Sequence, residues 1–159
     1  MQRRPISAEK AKEWAEDLCS RAEYSSGEMR LKLIRKGLQR AEAEKIVTAL
    51  LKTRFIDDSR FARAFVRDKV GYSRWGKNKV AMALMAKGVS RDVASEAISE
   101  IDEDEYIEGL AQLLESKMRS VGATPDNLGY EARAKLYRFA ASRGFLSSDI
   151  GKALNRLVR

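Results

Sequence analysis

The feature that most constrains this chain is a phrase that recurs three times, a cation followed by glycine and an apolar residue: Lys36-Gly37-Leu38, Lys87-Gly88-Val89 and Arg143-Gly144-Phe145. The glycines lie 51 and then 56 residues apart. Lys or Arg before Gly marks a helix end, because the cation suits the negative end of the helix dipole and glycine takes the left-handed backbone of a C-cap. The apolar residue then packs back on the helix that has just ended. The surroundings repeat too. Leu33, Leu84 and Ala140 stand four residues before the glycines, Ala43, Ala94 and Ile150 six after, and Val47, Ile98 and Leu154 ten after.

Such a chain is expected to be all-α. Each phrase separates two helices, and a third helix precedes each pair, over roughly Ser7 to Tyr24, Asp58 to Gly71 and Asp102 to Ser120. The expected fold is three tandem three-helix repeats, with bounds at residues 1–53, 54–101 and 102–159. Units this small cannot each bury a full apolar face, so neighbours share a core, and the array is expected to be elongated and curved. Abundant Ala, Leu, Lys, Arg and Glu favour helix, and Pro occurs only twice. Ser90, and Ser147 or Ser148, are ready N-caps for the last helix of repeats two and three. Asp58 fits the N-cap of the helix that follows it, with Asp57 adding charge near the positive helix end. The run Ser120 to Leu128, with Gly, Pro and Asn, reads as a loop unique to the third repeat.

Charge is distributed unevenly over this frame. Residues 54–91 hold ten basic against three acidic residues, a net +7 within a whole-chain charge of +8. Residues 92–128 carry −8, and the flanking stretches 1–53 and 129–159 carry +4 and +5. Asp102, Glu103, Asp104 and Glu105 suit the first turn of a helix better than a metal site. A helix from Asp58 places Phe61, Ala62, Phe65 and Val66 on one face and Arg60, Arg63 and Arg67 on the opposite one. Both phenylalanines are expected to be buried and the arginines exposed. A face built only for solubility normally mixes both signs, yet Asp68 is the only acidic residue between Ser59 and Arg91. Arg74, Trp75, Lys77, Lys79 and Lys87 extend the basic surface. Trp75 suits either stacking on bases and interface anchoring, or a lid over the core. The candidate partner- or DNA-binding residues are therefore Arg60, Arg63, Arg67, Arg74, Trp75, Lys77, Lys79 and Lys87, and binding rather than catalysis is the expected function.

With one cysteine and no histidine, zinc sites, disulfides and histidine-based triads are excluded or disfavoured. Cys19 lies among Trp14, Ala15, Leu18 and Ala22 and reads as a packing residue. Gly71 to Lys77 matches G-x-x-x-x-G-K, but Asn78 stands where a phosphate loop needs Ser or Thr, and an amphipathic helix precedes it instead of a strand. No catalytic group, metal or cofactor is expected. The start, MQRRPISAEKAKEW, has no apolar leader core, and no run reaches membrane-spanning length, so a soluble, cytoplasmic protein is expected.

The middle repeat carries a recognisable signature. Phe55-Ile56-Asp57-Asp58, Arg60-Phe61-Ala62, Phe65-Val66, Trp75-Gly76 and Lys87-Gly88-Val89 resemble, in order and spacing, the RecX family of recombination regulators. The triple repeat extends the resemblance to nearly the whole chain. It implies a bacterial cytoplasmic protein, a monomer that binds the helical filament formed by the RecA recombinase on single-stranded DNA. Members lie in the filament groove or block its growing end, and so restrain strand exchange, ATP hydrolysis and co-protease activity without catalysis of their own. Direct contact with single- or double-stranded DNA stays open. Two other classes remain from the residues themselves: a sequence-specific helix-turn-helix regulator that reads duplex DNA with a positive helix, and a helical adaptor whose binding hardly responds to salt.

Overall fold

The computed structural model describes residues 6–158. Met1–Pro5 and Arg159, with which the outermost repeat bounds and the segment read for a leader begin or end, lie outside the described residues. All regular structure among the described residues is helical. Three groups of three helices follow one another: α1 Ala8–Arg21, α2 Ser26–Arg35 and α3 Arg40–Lys52; α4 Asp58–Gly71, α5 Lys77–Ala86 and α6 Arg91–Ser99; α7 Glu103–Ser120, α8 Tyr130–Ser142 and α9 Ser147–Leu157. A short 3-10 turn, Pro125–Asn127, lies in the segment read as a loop.

The recurring phrase does what its chemistry dictates. Gly37, Gly88 and Gly144 have φ of 113°, 82° and 95°. At Gly88 the amide bonds the carbonyl of Met85 and the next amide, of Val89, reaches back to Leu84, the pairing of a Schellman C-cap. The same pair of bonds recurs around Gly37 and Gly144.

Several helix starts are capped by polar side chains, and two differ from the sequence expectation. Ser7 caps α1, Ser90 accepts from the Val93 amide, and Asp102 accepts from the Glu105 amide at 2.9 Å. Ser25 and Glu28 form a reciprocal capping box on α2. Neither Ser147 nor Ser148 caps α9. Only Phe145 and Leu146 separate that helix from the Gly144 turn, so Leu146 takes the cap position and both serines fall inside the first turn. At α4 the cap is Asp57, not Asp58: Asp57 Oδ1 accepts from the Arg60 amide at 3.0 Å. Asp58, the first helical residue, instead accepts from the Ser26 amide at 2.7 Å and the Ser26 hydroxyl at 2.6 Å.

The chain divides into two compact units, Met1–Ala62 with Leu84–Ala94, and Arg63–Ala83 with Ser95–Arg159. In the first, α1, α2 and α3 close over Ala11, Ala15, Met29, Leu33, Val47 and Leu50, all fully buried. Cys19 packs against this core half-buried, and burial, with the Glu23 charge beside it, raises its thiol pKa. In the second, α7 packs along α9 and against α8 over a core that includes Tyr106, Leu110, Leu114, Leu136, Ile150 and Leu154.

Each unit contains a joint at which two glycines leave room for backbone to touch backbone. In the first, the start of α2 sits on the Lys87-Gly88 turn. A Cβ on Gly27 would lie 2.5 Å from the Gly88 Cα and 2.7 Å from the Lys87 carbonyl oxygen. The Ser25 hydroxyl donates to that same carbonyl. In the second, the start of α5 sits on the Arg143-Gly144 turn. The Gly76 amide donates to the Arg143 carbonyl at 2.7 Å and the Asn78 amide to the Gly144 carbonyl at 3.1 Å. A Cβ on Gly76 would collide with the carbonyl of Gly144 and the amide of Phe145.

Candidate binding surface

Helix α4 carries the arginine stripe, but its members differ in what they touch. Arg60 is tied down: Nε lies 2.7 Å from Glu23 Oε1, and Nη2 donates to the carbonyls of Arg54 and Phe55. Its side chain is 41% exposed, so the expectation of a freely presented arginine fails there. Arg63 and Arg67 are exposed, and neither has a hydrogen-bond or ion-pair partner among the described residues. They rim a groove of about 180 Å³ completed by Val66, Ala97, Glu100 and Ile101.

On the opposite face Phe61 and Ala62 are buried as expected, and Phe65 is not. Phe65 is half-buried because it packs edge-on against Trp75, ring centroids 6.4 Å apart, under the Lys69 ammonium. Trp75 in turn has the Lys69 Nζ 4.9 Å and the Lys79 Nζ 4.3 Å from its ring centre. Two cations on one indole leave it a poor platform for a nucleobase. Trp75 holds ammonium groups in place, each by an attraction worth about 0.5–1 kcal/mol at an exposed site. Lys69 is a basic residue that periodicity missed; its place five residues before Arg74, off the arginine stripe, gave no sign of the contact.

The link from α4 to α5 bends through Arg74, whose φ of 54° is left-handed. That backbone costs a non-glycine residue roughly 1 kcal/mol. It turns the Trp75 amide back to the Lys69 carbonyl at 2.9 Å. The Arg74 guanidinium rests on α7 where Gly109 has no side chain, with Nη2 3.4 Å from Gln112. The G-x-x-x-x-G-K segment is thus a tight connection between two helices, occupied by its own packing.

Helix α5 opens with Lys77 and Lys79 and has no acidic residue in its first turn, against the preference of a helix dipole. Lys77 is compensated by Glu103, Nζ to Oε2 2.7 Å, and lies over the Tyr106 ring. Its amide donates to the Tyr106 hydroxyl at 3.0 Å. Burial pushes the Tyr106 phenol up to about 12. Lys87, just past the end of α5, pairs with Glu28 at 3.4 Å. Of the eight residues picked out by sequence, Trp75 and Lys79 are brought into contact, Arg63 and Arg67 share one groove, and Arg60, Arg74, Lys77 and Lys87 have partners within the fold.

Other features bear on chemistry. The acidic stretch on α7 is partly neutralised by Arg156, which binds Asp104 at 2.6 Å and Glu108 at 3.2 Å. Those contacts raise the arginine pKa further. Among the described residues no three His, Cys, Asp or Glu side chains are placed to hold a metal ion, and no helix is long and apolar enough to cross a membrane.

Comparison with known proteins matches this geometry to a class. Descriptions of the second and third three-helix domains of RecX match residues 57–98 and 103–154. The crystal structure of RecX from Lactobacillus salivarius shares the fold, with a TM-score of 0.85 over 94% of this chain and 96% of that one at 19% identity. This is an all-helical protein built from three-helix repeats of the RecX kind. The regulatory protein RecX of Chlorobium phaeobacteroides (strain BS1) is 31% identical over 150 residues, 94% of this chain and 95% of its own length. The chain belongs to the RecX family. The regulatory proteins RecX of Clostridium tetani and Clostridium botulinum (strain Eklund 17B / Type B) are 31% and 37% identical, and the chain spans only 57% and 54% of their lengths.

Proposed function

We propose that this protein regulates the RecA recombinase, binding the filament that RecA forms on single-stranded DNA and restraining its strand exchange, ATP hydrolysis and co-protease activity. It acts as a cytoplasmic monomer without cofactor or catalytic chemistry, and its functional repeats are residues 1–53, 54–101 and 102–159. The observation that carries this reading is the pair Arg63 and Arg67, exposed and without partners among the described residues in the most basic stretch of the chain. Arg156, by contrast, is matched by carboxylates. Family membership supplies the regulatory role.

The test is ATP hydrolysis by RecA on a single-stranded oligonucleotide, followed as the protein is added. Hydrolysis is expected to fall with added wild-type protein. The joint change of Arg63 and Arg67 to Ala is expected to leave the circular dichroism spectrum unchanged and to abolish most of the suppression. Unaltered hydrolysis at protein concentrations that saturate the filament overturns the inhibitory reading. Direct contact with DNA phosphates would add a salt dependence of roughly 0.7 to 0.9 log units per decade for each contact.

A further inference from the structure

We propose that the groove rimmed by Arg63 and Arg67 is a protein-docking site, which takes one apolar side chain from an acidic segment of the partner while the two arginines pair with carboxylates beside it. The inference rests on the reading above and names what the basic face grips. The floor of the groove decides between partner chemistries. Val66 and Ala97 are buried at 4% exposure each, and Ile101, half-buried, closes one end. A phosphate gains nothing from an aliphatic floor, and the groove offers a nucleobase no aromatic plate to stack on. An apolar side chain uses the floor, and its acidic neighbours use the rim.

The rim has the spacing such a segment requires. Arg63 and Arg67 are one helical turn apart, which places their Cβ atoms about 5–6 Å from each other. Carboxylates one turn apart on a partner helix, or two apart on an extended strand, meet both guanidinium groups. Arginine is the suitable cation because its planar fork binds a carboxylate through two parallel hydrogen bonds. Neither arginine must first leave an internal partner, unlike Arg60, which is held by Glu23. Glu100, exposed on the far rim, opposes an acidic partner and sets the orientation in which it enters.

The experiment measures binding of the whole protein to RecA filaments on single-stranded DNA, with the naked oligonucleotide in parallel. Failure of the wild type to bind filaments overturns the functional reading and removes this partner with it. Given wild-type binding, Arg63→Glu with Arg67→Glu is expected to weaken filament affinity by about tenfold or more, and Glu100→Gln to strengthen it a few-fold. A bulky maleimide on Glu100→Cys in a Cys19→Ser background covers the groove while leaving both arginines unsubstituted. It is expected to weaken binding as much as the charge reversal, and it decides the matter should the reversal fail to fold. Filament binding unchanged by that label overturns the docking site. An equal loss of affinity for the naked oligonucleotide in the double reversal shows that the arginines hold nucleic acid, and overturns it as well.

Discussion

At the joint within the first unit, Gly27 meets Gly88 and side chains make the bonds; at the joint within the second, Gly76 meets Gly144 and two bonds run directly from main chain to main chain. Ser25 donates to the Lys87 carbonyl, Asp58 takes both polar groups of Ser26, and Lys87 pairs with Glu28 at the first. At the second, the amides of Gly76 and Asn78 bond the carbonyls of Arg143 and Gly144 directly, and the Tyr106 hydroxyl accepts from the Lys77 amide. The first joint is therefore replaceable piece by piece, whereas the second depends on how closely two backbones approach. Missing side-chain volume, rather than any particular hydrogen bond, is what the two share.

Gly76→Ala should give the largest effect, since its methyl group meets only backbone and the joint must open to admit it. A loss of about 3 kcal/mol is expected, at the upper end for overpacking, measured by urea denaturation. Gly27→Ala should cost less, because its nearest contacts are longer. Equal losses at the two sites would erase the distinction between the joints. Asp58→Asn ranks next: the amide keeps one acceptor oxygen but loses the charge that strengthens both bonds to Ser26, at a cost of about 2 kcal/mol. A stability within error of wild type would mean that the first joint is held by its glycines alone.

Tyr106→Phe should have the smallest effect, about 1 kcal/mol, from the Lys77 amide left without its acceptor. It also carries a pH signature. Because burial raises the phenol from about 10 in the unfolded chain to about 12 in the fold, its contribution is complete below pH 10 and is lost as pH rises towards 12. The melting temperature of the wild type should therefore fall more steeply over that window than that of Tyr106→Phe. Parallel curves would remove Tyr106 as the alkaline weak point of the second joint.

Helix ends were legible in the sequence because each is written in neighbouring residues: Lys87, Gly88 and Val89 together specify a C-cap whatever lies beyond them. The arginine stripe was legible for the same reason, through helical spacing. What could not be read was which arginines meet a distant carboxylate. Arg60 and Arg63 have the same local pattern, and only the fold brings Glu23 to the first and leaves the second without a partner. Asp57 and Asp58 were resolved in the wrong order because either fits a cap locally, while Ser26 lies 32 residues away. Phe65 read as core because its neighbour Phe61 is core, yet Trp75 draws it outward. Gly27 and Gly76 gave no sign of a close approach, Gly76 standing out only within the family signature, since a glycine needed for such contact looks like any other until its opposite number is known.

The bonds that close the joints span long stretches of chain, 62 residues from Ser25 to Lys87 and 67 from Gly76 to Arg143. Helix pairs such as α2 with α3 are local and assemble quickly, but a contact across this distance waits for a large loop to close. On the ribosome the start of α2 is complete well before the turn that receives it has been synthesised. The joints are thus expected to lock after the rate-limiting step of folding, so their variants should speed unfolding while hardly slowing refolding. The glycine contacts set how long a folded molecule lasts more than how fast one is made.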